Sequence, residues 1–142
     1  MCIRRICPRH VNVFTSALLL AGVLANVAIA QPLRIEYRIA MPDPASHLYE
    51  VAVDIGGVRG DTLPLQLPVW SPGRYARMDF ARNVQDFRAT DDAGKALRWD
   101  KTNGSRWVVL TGGARDVRLR YRVFADALSG TFSVLDTDHA NW

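Results

Sequence analysis

The chain has 142 residues, a length that suits one folded domain. Its formal net charge is +4, but three of its basic residues, Arg4, Arg5 and Arg9, crowd the first nine positions with no acidic residue near them. The charge therefore gives no reason to expect a nucleic-acid partner. Both cysteines, Cys2 and Cys7, belong to the same segment.

Those arginines are followed by an apolar run from Phe14 to Ala30, interrupted by Thr15, Ser16 and Asn26. It ends in Ala28-Ile29-Ala30, the small-x-small pattern that precedes signal-peptidase cleavage. The order of basic, apolar and small residues predicts a signal peptide over residues 1–30 and a mature domain over 31–142. The expected location is periplasmic or secreted. The competing reading is a membrane anchor, but a spanning helix needs ~20 predominantly apolar residues, and this run is shorter. A lipidated cysteine would follow such a run, whereas Cys2 and Cys7 precede it. Cleavage would leave 112 residues with fifteen basic and fourteen acidic side chains, a net charge of +1, and no cysteine. Such a domain is not integral to the membrane and has no disulfide or thiol chemistry. Core packing must hold it together, and a chain of about this length buries enough surface to do so.

Along the mature chain the signal is period-two alternation, which puts alternate side chains on opposite faces of a sheet. Leu33, Ile35, Tyr37 and Ile39 face one way, with Arg34, Glu36 and Arg38 on the other side. Met41-Pro42-Asp43-Pro44 interrupts, because proline cannot donate to a ladder. Tyr49, Val51, Val53 and Ile55 resume the pattern, Gly56-Gly57 and Gly60-Asp61 turn the chain, and Leu63, Leu65 and Leu67 repeat it. Val84 to Ala89 reads as a short strand, and Tyr75 to Val84 as the one place for a turn or two of helix. Leu97 and Trp99 form half of a hairpin with Trp107 to Leu110 around Asn103-Gly104, both of which tolerate positive φ. Val117, Leu119, Tyr121 and Val123 alternate with Arg118, Arg120 and Arg122, and Phe132 to Leu135 is the last candidate strand. The expectation is an all-β fold: an antiparallel sandwich or open barrel of about seven to eight short strands.

Few residues offer chemistry. His47 opens a strand, and His139 closes the run Asp136-Thr137-Asp138-His139. A metal could take oxygen and nitrogen ligands from Asp136, Asp138 and His139. With no second ligand cluster elsewhere, a polar loop at a strand end accounts for them better. There is no H-E-x-x-H, no G-x-S-x-G and no glycine-rich loop between strand and helix. No catalytic residue, cofactor-binding residue or metal ligand is therefore assigned. The row Arg118, Arg120 and Arg122, beside Arg34 and Arg38, either meets an acidic partner surface or is the solvated face of a half-buried strand. Asn103-Gly104-Ser105 matches the glycosylation sequon and equally fits a hairpin tip.

The most unusual stretch is Leu67 to Tyr75, followed by Asp79-Phe80. Pro68 and Pro72 fix φ on either side of Trp70, and Gly73 allows a sharp turn. Trp70 and Tyr75 are the candidate ligand or interface residues. Aromatics so placed can form a carbohydrate platform or plug the end of a sandwich, and the plug is the expectation for Trp70.

Trp70-Ser71-Pro72-Gly73-Arg74-Tyr75 with Asp79-Phe80 resembles the W-x-P-G-x-Y...D-F motif in the N-terminal domain of the glycyl aminopeptidase family of zinc metallopeptidases. The resemblance extends over most of the mature chain. Tyr37 through His47 to Val53 looks like that family's opening strand pair. Trp107 and Tyr121 fall where its later strands carry aromatics, and Leu135 to Trp142 where its first domain gives way to the next. This chain departs from the pattern in having Arg74 where a small Ser is common and Met78 where Arg is common. The resemblance implies zinc-dependent aminopeptidase activity in a downstream catalytic domain, often followed by a PDZ domain, and none of that machinery is in this sequence. The chain reads as a non-catalytic N-terminal β-domain whose partner is a metallopeptidase catalytic domain, and it is not expected to be an enzyme alone or to hold zinc. The alternative is a stand-alone periplasmic module that binds carbohydrate or peptide through Trp70 and Tyr75. An intact small enzyme lacks a plausible acid, base and nucleophile set.

Overall fold

The computed structural model describes residues 32–127, 129 and 131–142. The expected signal peptide lies outside the described residues. Among the described residues nine strands follow in chain order: β1 Arg34–Ala40, β2 Leu48–Gly56, β3 Thr62–Gln66, β4 Val84–Asp91, β5 Trp99–Asn103, β6 Arg106–Leu110, β7 Asp116–Phe124, β8 Val134–Leu135 and β9 Ala140–Asn141. Single 3-10 turns occupy Pro44–Ser46 and Phe80–Asn83. The longer strands form a four-stranded sheet in the order β1-β2-β7-β4 and a three-stranded sheet in the order β3-β6-β5. Every pairing is antiparallel. The all-β expectation holds.

The alternation explains the packing. On β2, Val51, Val53 and Ile55 are buried, and on β7 Tyr121, Leu119 and Val117 are their cross-strand neighbours, the last two buried as well. They meet Val109 of β6 and Ala89 of β4 in one core cluster, so the two sheets face each other. A smaller cluster of Tyr49, Ala125 and Leu135 holds the β8–β9 hairpin against the end of β2.

A bulge shapes the site. The register of β4 on β7 slips between Gln85 and Arg88, and Asp86 there has φ of 51°. Aspartate tolerates that region better than most side chains. The extra residue re-aims its neighbours. Asp86 pairs with Arg122 on the outer face, while Phe87 packs inward against Trp99, Trp107 and Tyr121.

Four expectations need adjustment. The hairpin around Asn103-Gly104 is present, with Asn103 Oδ1 accepting the Ser105 N–H, but β5 begins at Trp99 and Leu97 precedes it. The last predicted strand shortens to Val134–Leu135. Ser129 Oγ accepts the N–H groups of Thr131 and Phe132 there, and the Phe132 ring packs on Phe80, which turns the chain before β8. The helical stretch within 75–84 is only the 3-10 turn at Phe80–Asn83. The fourth concerns β1. Ile35, Tyr37 and Ile39 lie opposite Ile55, Val53 and Val51 and so share their face, yet they are 48%, 64% and 42% exposed. The three-stranded sheet covers β2 and stops short of β1.

Candidate functional site

The loop between β3 and Phe80 is built by its prolines and one glycine. Ser71-Pro72-Gly73-Arg74 is a tight turn closed by Arg74 N–H donating to the Ser71 carbonyl at 3.2 Å. Proline presets the first central position, and Gly73, with φ of 76°, supplies the positive φ needed at the second. Met78 N–H donates to the Val69 carbonyl at 2.9 Å and pinches the loop at its base. Residues between these points project outward. Tyr75 is fully exposed and Trp70 is 59% exposed. The expectation that Trp70 plugs the sandwich is therefore corrected, because the pinch at Val69–Met78 leaves its ring outside the core. The buried indole is Trp107, on the central strand β6.

An apolar cleft of about 110 Å³ opens between the sheets along β1 and β3. Ile35, Tyr37, Leu65, Phe87, Trp107 and Tyr121 line it. Burial pushes the Tyr121 phenol up to about 12, and the neighbouring Tyr37 adds to the shift.

His47 and His139 are structural in their contacts. His47 takes a left-handed conformation, φ 58°, after the first 3-10 turn. Its Nδ1 lies 2.5 Å from the Leu135 carbonyl oxygen, which can only accept, so Nδ1 carries the proton. Its ring sits edge-on to Phe124. His139 belongs to the turn between β8 and β9. Asp136 Oδ1 accepts the N–H groups of Asp138 and His139 at 2.7 and 2.6 Å. The Asp138 N–H first, then the backbone and ring of His139, hold the Asp136 carboxyl below the ordinary carboxylate range. Among the described residues, no group of three or more His, Cys, Asp or Glu is placed to hold a metal ion. The described residues therefore do not fit a zinc site.

The arginine row lies on the outer face of the four-stranded sheet. Asp54 takes Arg120 at 3.3 Å and Arg38 at 3.5 Å, and Asp86 takes Arg122. These pairs are largely solvated, where an ion pair contributes at most about 1 kcal/mol. The row is mostly compensated, as a solvated strand face would be. Of the candidates named from sequence, Trp70 and Tyr75 share one exposed loop, whereas His47 and His139 are each committed to local contacts. Sequence reasoning missed the uncovered face of β1 and the inward turn of Phe87, whose only signal was Asp86 breaking the alternation.

These features define an all-β, two-sheet domain with a pinned aromatic loop and no metal-holding group among its described residues. The chain matches the Peptidase M61 N-terminal domain over residues 36–142 and belongs to that family. It is also similar to a crystal structure of an aminopeptidase N family protein from Idiomarina loihiensis. That match has a TM-score of 0.65 and 30% identity and covers 72% of this chain. It spans 17% of the solved chain, so this chain corresponds to a small part of that protein's length. No curated protein matches significantly. The resemblance carried by the Trp70–Tyr75 motif thus identified the family. No helix among the described residues is long and apolar enough to cross a membrane.

Proposed function

We propose that this chain is the non-catalytic N-terminal β-domain of an exported metallo-aminopeptidase-like protein, and that the Trp70–Tyr75 loop packs against a catalytic domain. The observation that carries this reading is the exposure of two large rings on a loop pinned at its base. Aromatics held in one conformation are the usual anchors of protein interfaces, since they bury much area and lose little freedom. Membership of a peptidase N-terminal family supplies the kind of partner.

The test is association of the purified chain with the catalytic domain of a family member, measured by calorimetry. Trp70→Ala is expected to weaken binding at least about thirtyfold, the size of an interface hot spot, while the melting temperature barely moves. A variant that binds like the parent would sink the proposal. If the variant instead loses affinity for a sugar or peptide and keeps the catalytic domain, the loop serves a stand-alone binding module. The chain alone should turn over no glycyl or alanyl reporter and should hold no zinc after dialysis. Tightly held zinc with turnover abolished by His139→Ala would overturn that.

Export belongs to the same proposal. The residues that support it are Arg4, Arg5, Arg9 and the apolar run ending in Ala28-Ile29-Ala30. Mass spectrometry of the exported protein should find a chain beginning at Gln31; a product that retains Cys2 and Cys7 refutes it.

A further inference from the structure

The two main sheets have four edges, and three of them carry a device against pairing with another chain. On β3, Pro64 has no N–H to offer. On β4 the register slips between Gln85 and Arg88, and on β5 between Lys101 and Asn103. Slips of this kind twist an edge away from a would-be partner strand. β1 has neither proline nor bulge. It pairs with β2 in unbroken register through all seven residues, and every one of them is exposed. Its other side presents backbone N–H and C=O groups that a further strand could pair with.

The sequence of β1 is complementary to itself in one antiparallel register. With Tyr37 opposite Tyr37 of a second copy, Ile35 faces Ile39, Glu36 faces Arg38, and Arg34 faces Ala40. Directly opposite residues share a sheet face. The isoleucine and tyrosine pairs therefore fall on the uncovered apolar face, and the two Glu–Arg pairs on the charged one. Centring the pair on Glu36 or Arg38 instead would oppose like charges, which is destabilising. Within one copy Arg38 already lies 3.1 Å from Glu36 and 3.5 Å from Asp54. In the paired arrangement each Glu36 gains the other copy's Arg38.

We propose that β1 is a homodimer edge, on which a second copy of this chain adds antiparallel to join two four-stranded sheets into one of eight strands. The contact is isologous, the commonest way for a chain to close on itself. It goes beyond the peptidase-domain reading and uses a different surface, so either can fail without the other.

Sedimentation equilibrium of the purified full chain tests it. A monomer–dimer equilibrium is expected, with Glu36→Arg and Arg38→Glu each weakening the dimer about tenfold or more, because each sets two like-charge pairs in place of two opposite ones. An equimolar mixture of the two variants should dimerise again, since a doubly basic strand then meets a doubly acidic one. Circular dichroism melting of each variant separates a lost contact from a lost fold, and Trp70→Ala should leave the dimer intact. A wild-type chain that stays monomeric at all concentrations overturns the proposal. So do single variants that self-associate like the parent, or a mixture that remains monomeric. Protection of the β1 amides from hydrogen exchange only when a catalytic domain is added would assign the edge to that domain instead.

Discussion

Trp107→Ala is expected to lower the stability of the domain by about 3–5 kcal/mol, the range for removing a buried aromatic. Trp107 sits on β6, the central strand of the smaller sheet, between Leu65 of β3 and Lys101 of β5. Its ring stacks on Phe87 with centroids 5.6 Å apart and planes 17° apart, and Lys101 Nζ lies 4.9 Å over it. The ring also lines the cleft along β1 and β3, so its removal would join a new void to an existing one. Collapse onto that void is hindered, because the bulge at Asp86 fixes where Phe87 can sit. A site that cannot relax falls at the costly end of the range. Trp99→Ala is the control: that ring also touches Phe87 but is partly exposed, and its loss should be clearly smaller. Urea unfolding of the parent and both variants measures the difference. An unchanged slope with a lower midpoint would place the effect in the folded core, and a loss below about 1 kcal/mol for Trp107→Ala would mean the ring carries little of the packing.

Much of this fold was legible because period-two alternation is long and uninterrupted in β2 and β7, the two strands at the centre of the larger sheet. Their neighbours were harder. β1 alternates as cleanly as β2, yet its apolar side stays exposed, because alternation reports which residues share a face and says nothing of what covers it. β9 has two residues, Ala140 and Asn141, too few for any period. The Trp70–Tyr75 loop was visible as a motif through Pro68, Pro72 and Gly73. Its direction was not, since the pinch depends on one backbone bond between Val69 and Met78 that leaves no compositional trace. The same limit applies to His47 and His139. Sequence alone weighed a metal site at Asp136, Asp138 and His139 against a polar loop and gave His47 no role, and the structure ties His47 to the Leu135 carbonyl and His139 to Asp136.

Leu135→Ala is expected to release the β8–β9 hairpin before the sandwich unfolds. Leu135 is almost fully buried against Tyr49 and Ala125, apart from the main core cluster. The hairpin has only two residue pairs of its own, Val134 with Asn141 and Leu135 with Ala140. A two-stranded hairpin is marginal in water without packing, so its order depends on what it docks against. The docking bonds are the Leu135 N–H to the Ala125 carbonyl at 2.8 Å, the Tyr49 hydroxyl to the Val134 carbonyl at 3.0 Å, and His47 Nδ1 to the Leu135 carbonyl. Truncating a buried leucine costs about 2–5 kcal/mol. These three bonds contribute about 1 kcal/mol each, and together with the half-exposed Trp142 ring, edge-on to Tyr49, they do not replace the buried leucine. Native-state hydrogen exchange reads the result by region. The Leu135 and Asp136 amides, bonded to the Ala125 and His139 carbonyls, should exchange markedly faster in the variant. The amides of Val53 and Leu119, in the main cluster, should keep nearly their parental protection. Equal acceleration at all four positions would mean that the hairpin and the sandwich unfold as one unit, and the local account would then be wrong.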